Sequence, residues 1–288
     1  FTGGNAADRL AVPLSSLAAV WLAPPPPDTP ADVSRYPWAD GPKRTDAVRL
    51  RTGDVRRGVV ESVTPAGVRL SKAGLLPAGD VLAVAFDPSL SKPRPVGGRH
   101  LRVVLADGSR LTLLNATTEG GLRGKIAAGP DVRISLDQVV AVDVAGGPAV
   151  DLSDLKPVRQ AVEGYTGLTW PWAADRSVKG RPLAVGSDTF DKGLGTHPRT
   201  VLTYPLGGKY RRFEAAVGPD PNTGGGVTAC RVLVDGQDRT PPGLHALSVP
   251  TAVGIDLIGA KELTLEVGFG PFGDVRADVN WGNPRLIE

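Results

Sequence analysis

Nothing in this sequence repeats with the period of a helix. Short apolar segments alternate with polar residues, as in Val48-Arg49-Leu50-Arg51 and Val201-Leu202-Thr203-Tyr204, and they stop at Gly or Pro. Period-two alternation marks a half-buried strand, because successive side chains leave a strand on opposite faces. Many such segments separated by frequent turns specify an all-β protein. The 37 Gly and 27 Pro among 288 residues are therefore turn formers, not a mark of low complexity.

At 41% hydrophobic and 22% charged residues the chain has ordinary globular composition, which excludes wholesale disorder. Its length predicts about two domains. No apolar stretch approaches the ~20 residues of a membrane span. A single cysteine, Cys230, excludes an intrachain disulfide and any cysteine-based zinc or iron–sulfur site. Three widely spaced histidines argue against a histidine-rich metal centre. Methionine is absent, so the expectation is a processed or truncated piece that begins inside a domain.

The net charge is +3, and residues 1–149 hold 18 Lys+Arg against 14 Asp+Glu while residues 150–288 hold 15 against 16. So weak and scattered an excess gives no nucleic-acid footprint, and no nucleic-acid partner is expected.

The first half contains an internal repeat. Val12–Leu22 (VPLSSLAAVWL), Leu76–Phe86 (LPAGDVLAVAF) and Ile134–Val144 (ISLDQVVAVDV) align without gaps, so that Val20, Val84 and Val142 correspond. Ahead of the second and third copies lie matching hairpins: Val48–Leu50 with its Thr52-Gly53-Asp54 turn parallels Val103–Leu105 with Asp107-Gly108-Ser109. Two small five-stranded β-barrels are therefore expected, at residues 46–90 and 97–145, resembling Sm-like or SH3-like barrels in their order of elements. Residues 1–22 are expected to be the tail of a truncated third copy, joined by a Pro-rich linker at 23–45.

From Val150 the strands lengthen. Asp191-Lys192-Gly193-Leu194-Gly195-Thr196-His197 is followed in order by Leu206-Gly207-Gly208-Lys209-Tyr210, Ala215-Ala216-Val217-Gly218, Val232-Leu233-Val234-Asp235-Gly236, Lys261–Val267 and Ala277–Leu286. With these motifs, residues 150–288 resemble the NPCBM/NEW2 family, carbohydrate-binding modules found beside glycoside hydrolases. The resemblance implies a jelly-roll, galactose-binding-like β-sandwich and a secreted, periplasmic or cell-surface location. The alternation supplies an expected core of Phe213, Ala215, Val217, Val232, Val234, Leu263, Leu265 and Val267.

Sugars are held by aromatic rings stacked on their apolar faces and by polar side chains that bond their hydroxyls. Trp170, Trp172, His197, Arg276, Asn280 and Trp281 are the candidate carbohydrate-binding residues. Each tryptophan can instead fill the core under a sheet, the favoured reading for Trp281, and His197, expected at a strand start after a tight glycine turn, is read first as structural and then as a sugar partner. The resemblance also implies a structural calcium, for which the loop residues Asp220, Asn222, Asp274 and Asp278 are the candidate ligands. No Gly-x-Ser-x-Gly elbow, P-loop or His-Glu-x-x-His is present, and no catalytic centre is expected. The expected function is non-catalytic: tethering a larger secreted protein to a glycan or polysaccharide. The alternative is scaffolding or adhesion, with the barrels binding protein and the sandwich binding no sugar.

Overall fold

In the computed structural model, residues 13, 16–26, 36–39, 44–87, 89, 96–107, 109–127, 129–162 and 170–288 are described. Most of the expected fragment 1–22, much of the linker 23–45 and Gly108 of the second hairpin lie outside them. The chain divides into two compact units, Phe1–Gly147 and Pro148–Glu288. Apart from single-turn 3-10 segments, every regular element among the described residues is a β-strand.

The first repeat of the first unit contains β1 (Ala19–Trp21), β2 (Asp46–Leu50), β3 (Val55–Gly58), β4 (Val60–Thr64), β5 (Gly67–Leu70), β6 (Gly74–Pro77) and β7 (Val81–Ala85). One sheet has the order β1-β7-β2-β3 and another β4-β5-β6. The chain passes between them at Gly58, where a Cβ would stand 2.9 Å from the Ser71 carbonyl oxygen. Val48 and Val84 of the first sheet and Val68 and Leu70 of the second share one core. Asp46 is buried because its carboxylate accepts from the Val60 and Asp87 backbone N–H groups at 2.8 and 2.9 Å, tying the second sheet and the repeat's end to β2. Ala19–Trp21, expected to belong to a separate fragment, instead adds a strand to this sheet. It pairs with β7 at Ala19–Ala85, Val20–Val84 and Trp21–Ala83. The driving force is burial, since Val20 closes the row begun by Val48 and Val84.

The second repeat contains β8 (His100–Leu105), β9 (Arg110–Thr117), β10 (Leu122–Ile126), β11 (Asp131–Ile134) and β12 (Val139–Ala145). They form one antiparallel sheet of order β11-β10-β9-β8-β12. Its core is Val103, Leu105, Leu113, Leu122, Ile126 and Ile134.

The second unit contains β13 (Ala149–Asp151), β14 (Arg159–Val162), β15 (Ala173–Ala174), β16 (Leu183–Val185), β17 (Asp188–Phe190), β18 (Gly193–Thr196), β19 (Thr200–Pro205), β20 (Arg212–Pro219), β21 (Cys230–Val234), β22 (Gln237–Asp238), β23 (Thr251–Asp256), β24 (Glu262–Val267) and β25 (Val279–Ile287). One sheet runs β15-β18-β25-β20-β23, with β13 also on β25, and the other β14-β19-β24-β21-β22. The two sheets enclose a common core, to which Leu194, Phe213, Val217 and Trp281 come from the first and Leu202, Tyr204, Val232, Leu263 and Leu265 from the second. This is a β-sandwich, built on inward positions that the alternation marked. The β16–β17 hairpin crosses the outer side of the first sheet. Phe190 lies against Gly282 and Val185 against Gly218, places where a Cβ would come within 2.6 and 2.8 Å of those side chains.

Cys230 and Tyr204 are fully buried in this core, and burial pushes both their pKa values up. At Lys192 burial pulls the pKa down, but the hydrogen bonds its ammonium donates to Asp154 and Asp175 outweigh that and raise it. In each case the folded state keeps a proton that the unfolded chain releases, so stability is intact below the unfolded pKa and falls as pH rises past it. The thiol acts first, from about pH 8.5. Denaturant unfolding between pH 7 and 11 should lose on the order of 1.4 kcal/mol per pH unit for each group so engaged. Cys230→Ala should delay the onset; a pH-independent midpoint over that range would contradict this account.

Candidate functional site

The sequence Lys192–His197 is a set of anchors. Lys192 Nζ bonds Asp154 and, at 2.9 Å, Asp175 Oδ2, while Asp175 Oδ1 accepts from the Gly193 N–H at 3.1 Å. Gly193 passes so close to β25 that a Cβ would lie 2.2 Å from the Trp281 carbonyl oxygen. Thr196 Oγ1 donates to the Val279 carbonyl at 2.9 Å. The chain therefore delivers His197 to one position. That position is one residue beyond the end of β18, not at a strand start as expected, because the pairing of Gly193–Thr196 with Gly282–Val279 ends there.

His197 Nδ1 lies 2.7 Å from Asp278 Oδ1. A carboxylate only accepts, so Nδ1 carries the proton of this bond and the ring is held with Nε2 turned away from Asp278. Asp278 is almost fully buried immediately before β25, and its backbone oxygen accepts from the Asp220 N–H at 2.9 Å. Asp220 begins a 3-10 turn at Pro221–Thr223. Its Oδ1 accepts from the Asn222 backbone and side-chain nitrogens at 2.9 and 2.8 Å, and its carbonyl accepts from Thr223 Oγ1 at 3.0 Å. Arg276 holds a left-handed backbone, φ 55°. Gly226 approaches its carbonyl so closely that a Cβ would stand 2.1 Å away.

These loops surround an open cleft of about 670 Å³ lined by Trp170, Lys179, Arg181, His197, Pro198, Asn222, Thr223, Asp274, Val275, Arg276 and Asp278. Trp170 is 52% exposed, and its ring centroid lies 6.1 Å from that of His197, tilted by 47°. The cleft thus pairs a wetted aromatic face with an oriented imidazole, two amide or hydroxyl side chains and three cations. Such a site suits a polyhydroxylated ring, which presents an apolar face and hydroxyl edges together.

Of the candidate sugar contacts, the structure brings Trp170, His197 and Arg276 together in the cleft. Trp172 is set apart: half-buried against the core, its indole N–H donates to Gln160 Oε1 at 2.9 Å. Asn280 is buried and its Nδ2 donates to the Ala184 carbonyl at 2.9 Å, holding the β16–β17 hairpin. Trp281 is fully buried and offers no face to a ligand. Side-chain alternation decides this: the β18–β25 pairing puts Trp281 opposite Leu194, which points inward. Lys179, Arg181 and Thr223 were not foreseen. Two cations flanking Gly180 were the only local signal.

The four calcium candidates fall at two depths in the fold. Asn222, Asp274 and Asp278 line the cleft, whereas Asp220 is buried beneath it with Oδ1 engaged by Asn222 and Oδ2 without a protein partner. Calcium takes six to eight oxygens. Among the described residues no group of three acidic, histidine or cysteine side chains gathers to hold a metal.

Residues 149–287 match the NPCBM/NEW2 domain. Over 110 residues the chain is 29% identical to a Renibacterium salmoninarum protein named "Putative endo-alpha-N-acetylgalactosaminidase"; the match takes in 38% of this chain and only 7% of that protein's length. Among solved structures, CBM51 from Clostridium perfringens GH95 in complex with methyl-galactose aligns at 25% identity over 48% of this chain and 99% of that one, with a TM-score of 0.43. The CBM51-2 and INT domains of Clostridium perfringens ZmpB align at 23% identity over 49% and 31%, also at 0.43.

Proposed function

We propose that the NPCBM/NEW2 domain at residues 149–287 binds a glycan in the cleft between Trp170, His197 and Arg276, and so tethers a larger secreted protein to glycan or polysaccharide. The observation that carries this reading is the exposed Trp170 ring beside a histidine whose orientation Asp278 fixes. A sugar stacks its apolar face on the indole, His197 Nε2 bonds a hydroxyl, and Arg276 with Asn222 donates to others. Because the cleft is built from anchored turns, little ordering cost is left for binding. The module acts without catalysis in this proposal. Glycoside hydrolysis needs two carboxyl groups facing the scissile bond, and of the two lining the cleft Asp278 is buried and engaged by His197. Among the described residues no helix is long and apolar enough to cross a membrane.

A glycan array probed with the full chain tests this. Specific binding should weaken by tenfold or more in Trp170→Ala and His197→Ala, about 1.4 kcal/mol or more each. Trp170 is exposed, so its removal should leave the melting temperature unchanged and separate binding from folding. A folded wild-type chain that bound no glycan, or a Trp170→Ala variant that bound as well as wild type, would sink the proposal.

A further inference from the structure

The two repeats of the first unit align residue by residue, yet their last strands end in different surroundings. In the first repeat, β7 lies between β2 and β1. Leu82, Val84 and Phe86 lie alongside β1 and its flanking residues, with Val84 opposite Val20 and 0% exposed. In the second repeat the corresponding residues are Val140, Val142 and Val144 on β12, and they are 68%, 48% and 48% exposed. β12 is the end strand of its sheet, with β8 on one side and no strand on the other among the described residues. The inner halves match: Val48 beside Val84 in the first repeat becomes Val103 beside Val142 in the second. What differs is the third member of the row. Val20 of β1 fills it in the first repeat, and in the second it is open.

The strand that fills the first repeat's row is informative. Residues 12–22 carry the same pattern as residues 76–86 and 134–144, so β1 is the sequence equivalent of both β7 and β12. It pairs antiparallel with β7, and the pair is centred on equivalent residues, Val20 opposite Val84. The Phe86 N–H donates to the Ala18 carbonyl at 2.9 Å and the Leu22 N–H to the Leu82 carbonyl at 3.0 Å, extending the ladder symmetrically about that centre. Two like strands related by a local two-fold axis form the contact an isologous dimer uses.

We propose that β12 pairs with β12 of a second copy of this chain, antiparallel and centred on Val142, to form a symmetric dimer. Each Val142 then fills for the other the place that Val20 fills for Val84, Val140 faces Val144 of the partner copy, and the valine row is removed from water. Charge favours this register. The strand's one charged residue, Asp143, is matched by Arg102 at 3.5 Å within its own copy, and in the two-fold register it falls opposite an alanine, Ala141, not opposite another carboxylate. A long apolar edge left open would otherwise invite unspecific strand pairing.

The full chain should sediment as a dimer at micromolar concentration, and Val142→Lys, which sets two ammonium groups against each other on the axis, should sediment as a monomer with an unchanged circular dichroism spectrum. Register is read by crosslinking, since the only native cysteine is buried. Val142→Cys should form a chain-to-chain disulfide, because opposed residues of such a ladder sit within disulfide range. Val140→Cys alone should not, whereas Val140→Cys mixed with Val144→Cys should. A monomeric wild type, a dimer that persists in Val142→Lys, or equal crosslinking by Val140→Cys alone and Val142→Cys would each overturn the proposal, the first leaving the edge to a strand from a different protein.

Discussion

Replacing Trp281 with alanine should cost the second unit about 3–5 kcal/mol, the range for deleting a large aromatic from a packed core. The indole is fully buried and lies in the middle of its sheet, opposite Leu194 of β18 and Val217 of β20. Neither neighbour can move inward to fill the space, because each is held in a ladder on its far side as well. Trp281→Phe should cost clearly less. The indole N–H has no protein partner, so phenylalanine removes an unpaired buried donor along with part of the ring, and the two effects oppose each other. The two units are separate compact bodies, so a single melting curve does not isolate the effect. Amide exchange of β20 and β25 does. A Trp281→Ala chain whose β25 amides stay protected as in wild type would refute the assignment of Trp281 to the core.

Gly195→Ala should be nearly as damaging, though it adds only one methyl group. The Cβ would lie 2.4 Å from the Arg176 carbonyl oxygen and 2.7 Å from the Val178 nitrogen. Both are backbone atoms, so no rotamer relieves the contact, and the cost should reach or exceed the top of the ~1–3 kcal/mol span for overpacking. The segment that must give way leads to Lys179 and Arg181 of the cleft, and Gly195 is two residues from His197. Glycan affinity and amide protection at β18 should therefore fall together. Retention of both would show that the 176–178 segment yields freely and that this glycine is not needed for close packing.

These two residues mark what local pattern conveys and what it leaves open. A tryptophan near the last strand and a Gly-Leu-Gly ahead of a histidine were legible as important. Trp281 was read as core ahead of a sugar platform, but the platform stayed open because ring chemistry is the same in both. The inward turn of Leu194 opposite it settles the matter, and a cross-strand neighbour over 80 residues away leaves no local trace. His197 was found for the right motif but placed at a strand start. The anchors that position it, Asp175 on Lys192 and Asp278 on its own ring, come from distant segments. Asp220 and Asn222 were legible as oxygen-bearing loop residues; that Asp220 accepts from Asn222 and caps its turn is visible only in the fold.

The sequence by itself determined the class of fold and its inward faces, since alternation and turn residues are local properties that any pairing must respect. It also determined that residues 76–86 and 134–144 are copies of one pattern. Tertiary structure alone decided that a third copy of the pattern, at Ala19–Trp21, covers the edge of the first repeat, while among the described residues no strand covers the edge of the second. It likewise decided that Trp170, and not Trp172 or Trp281, faces the cleft. The physical reason is the same in each case. A strand's pattern states which face seeks burial, but which partner supplies that burial depends on residues brought near only when the whole chain has folded.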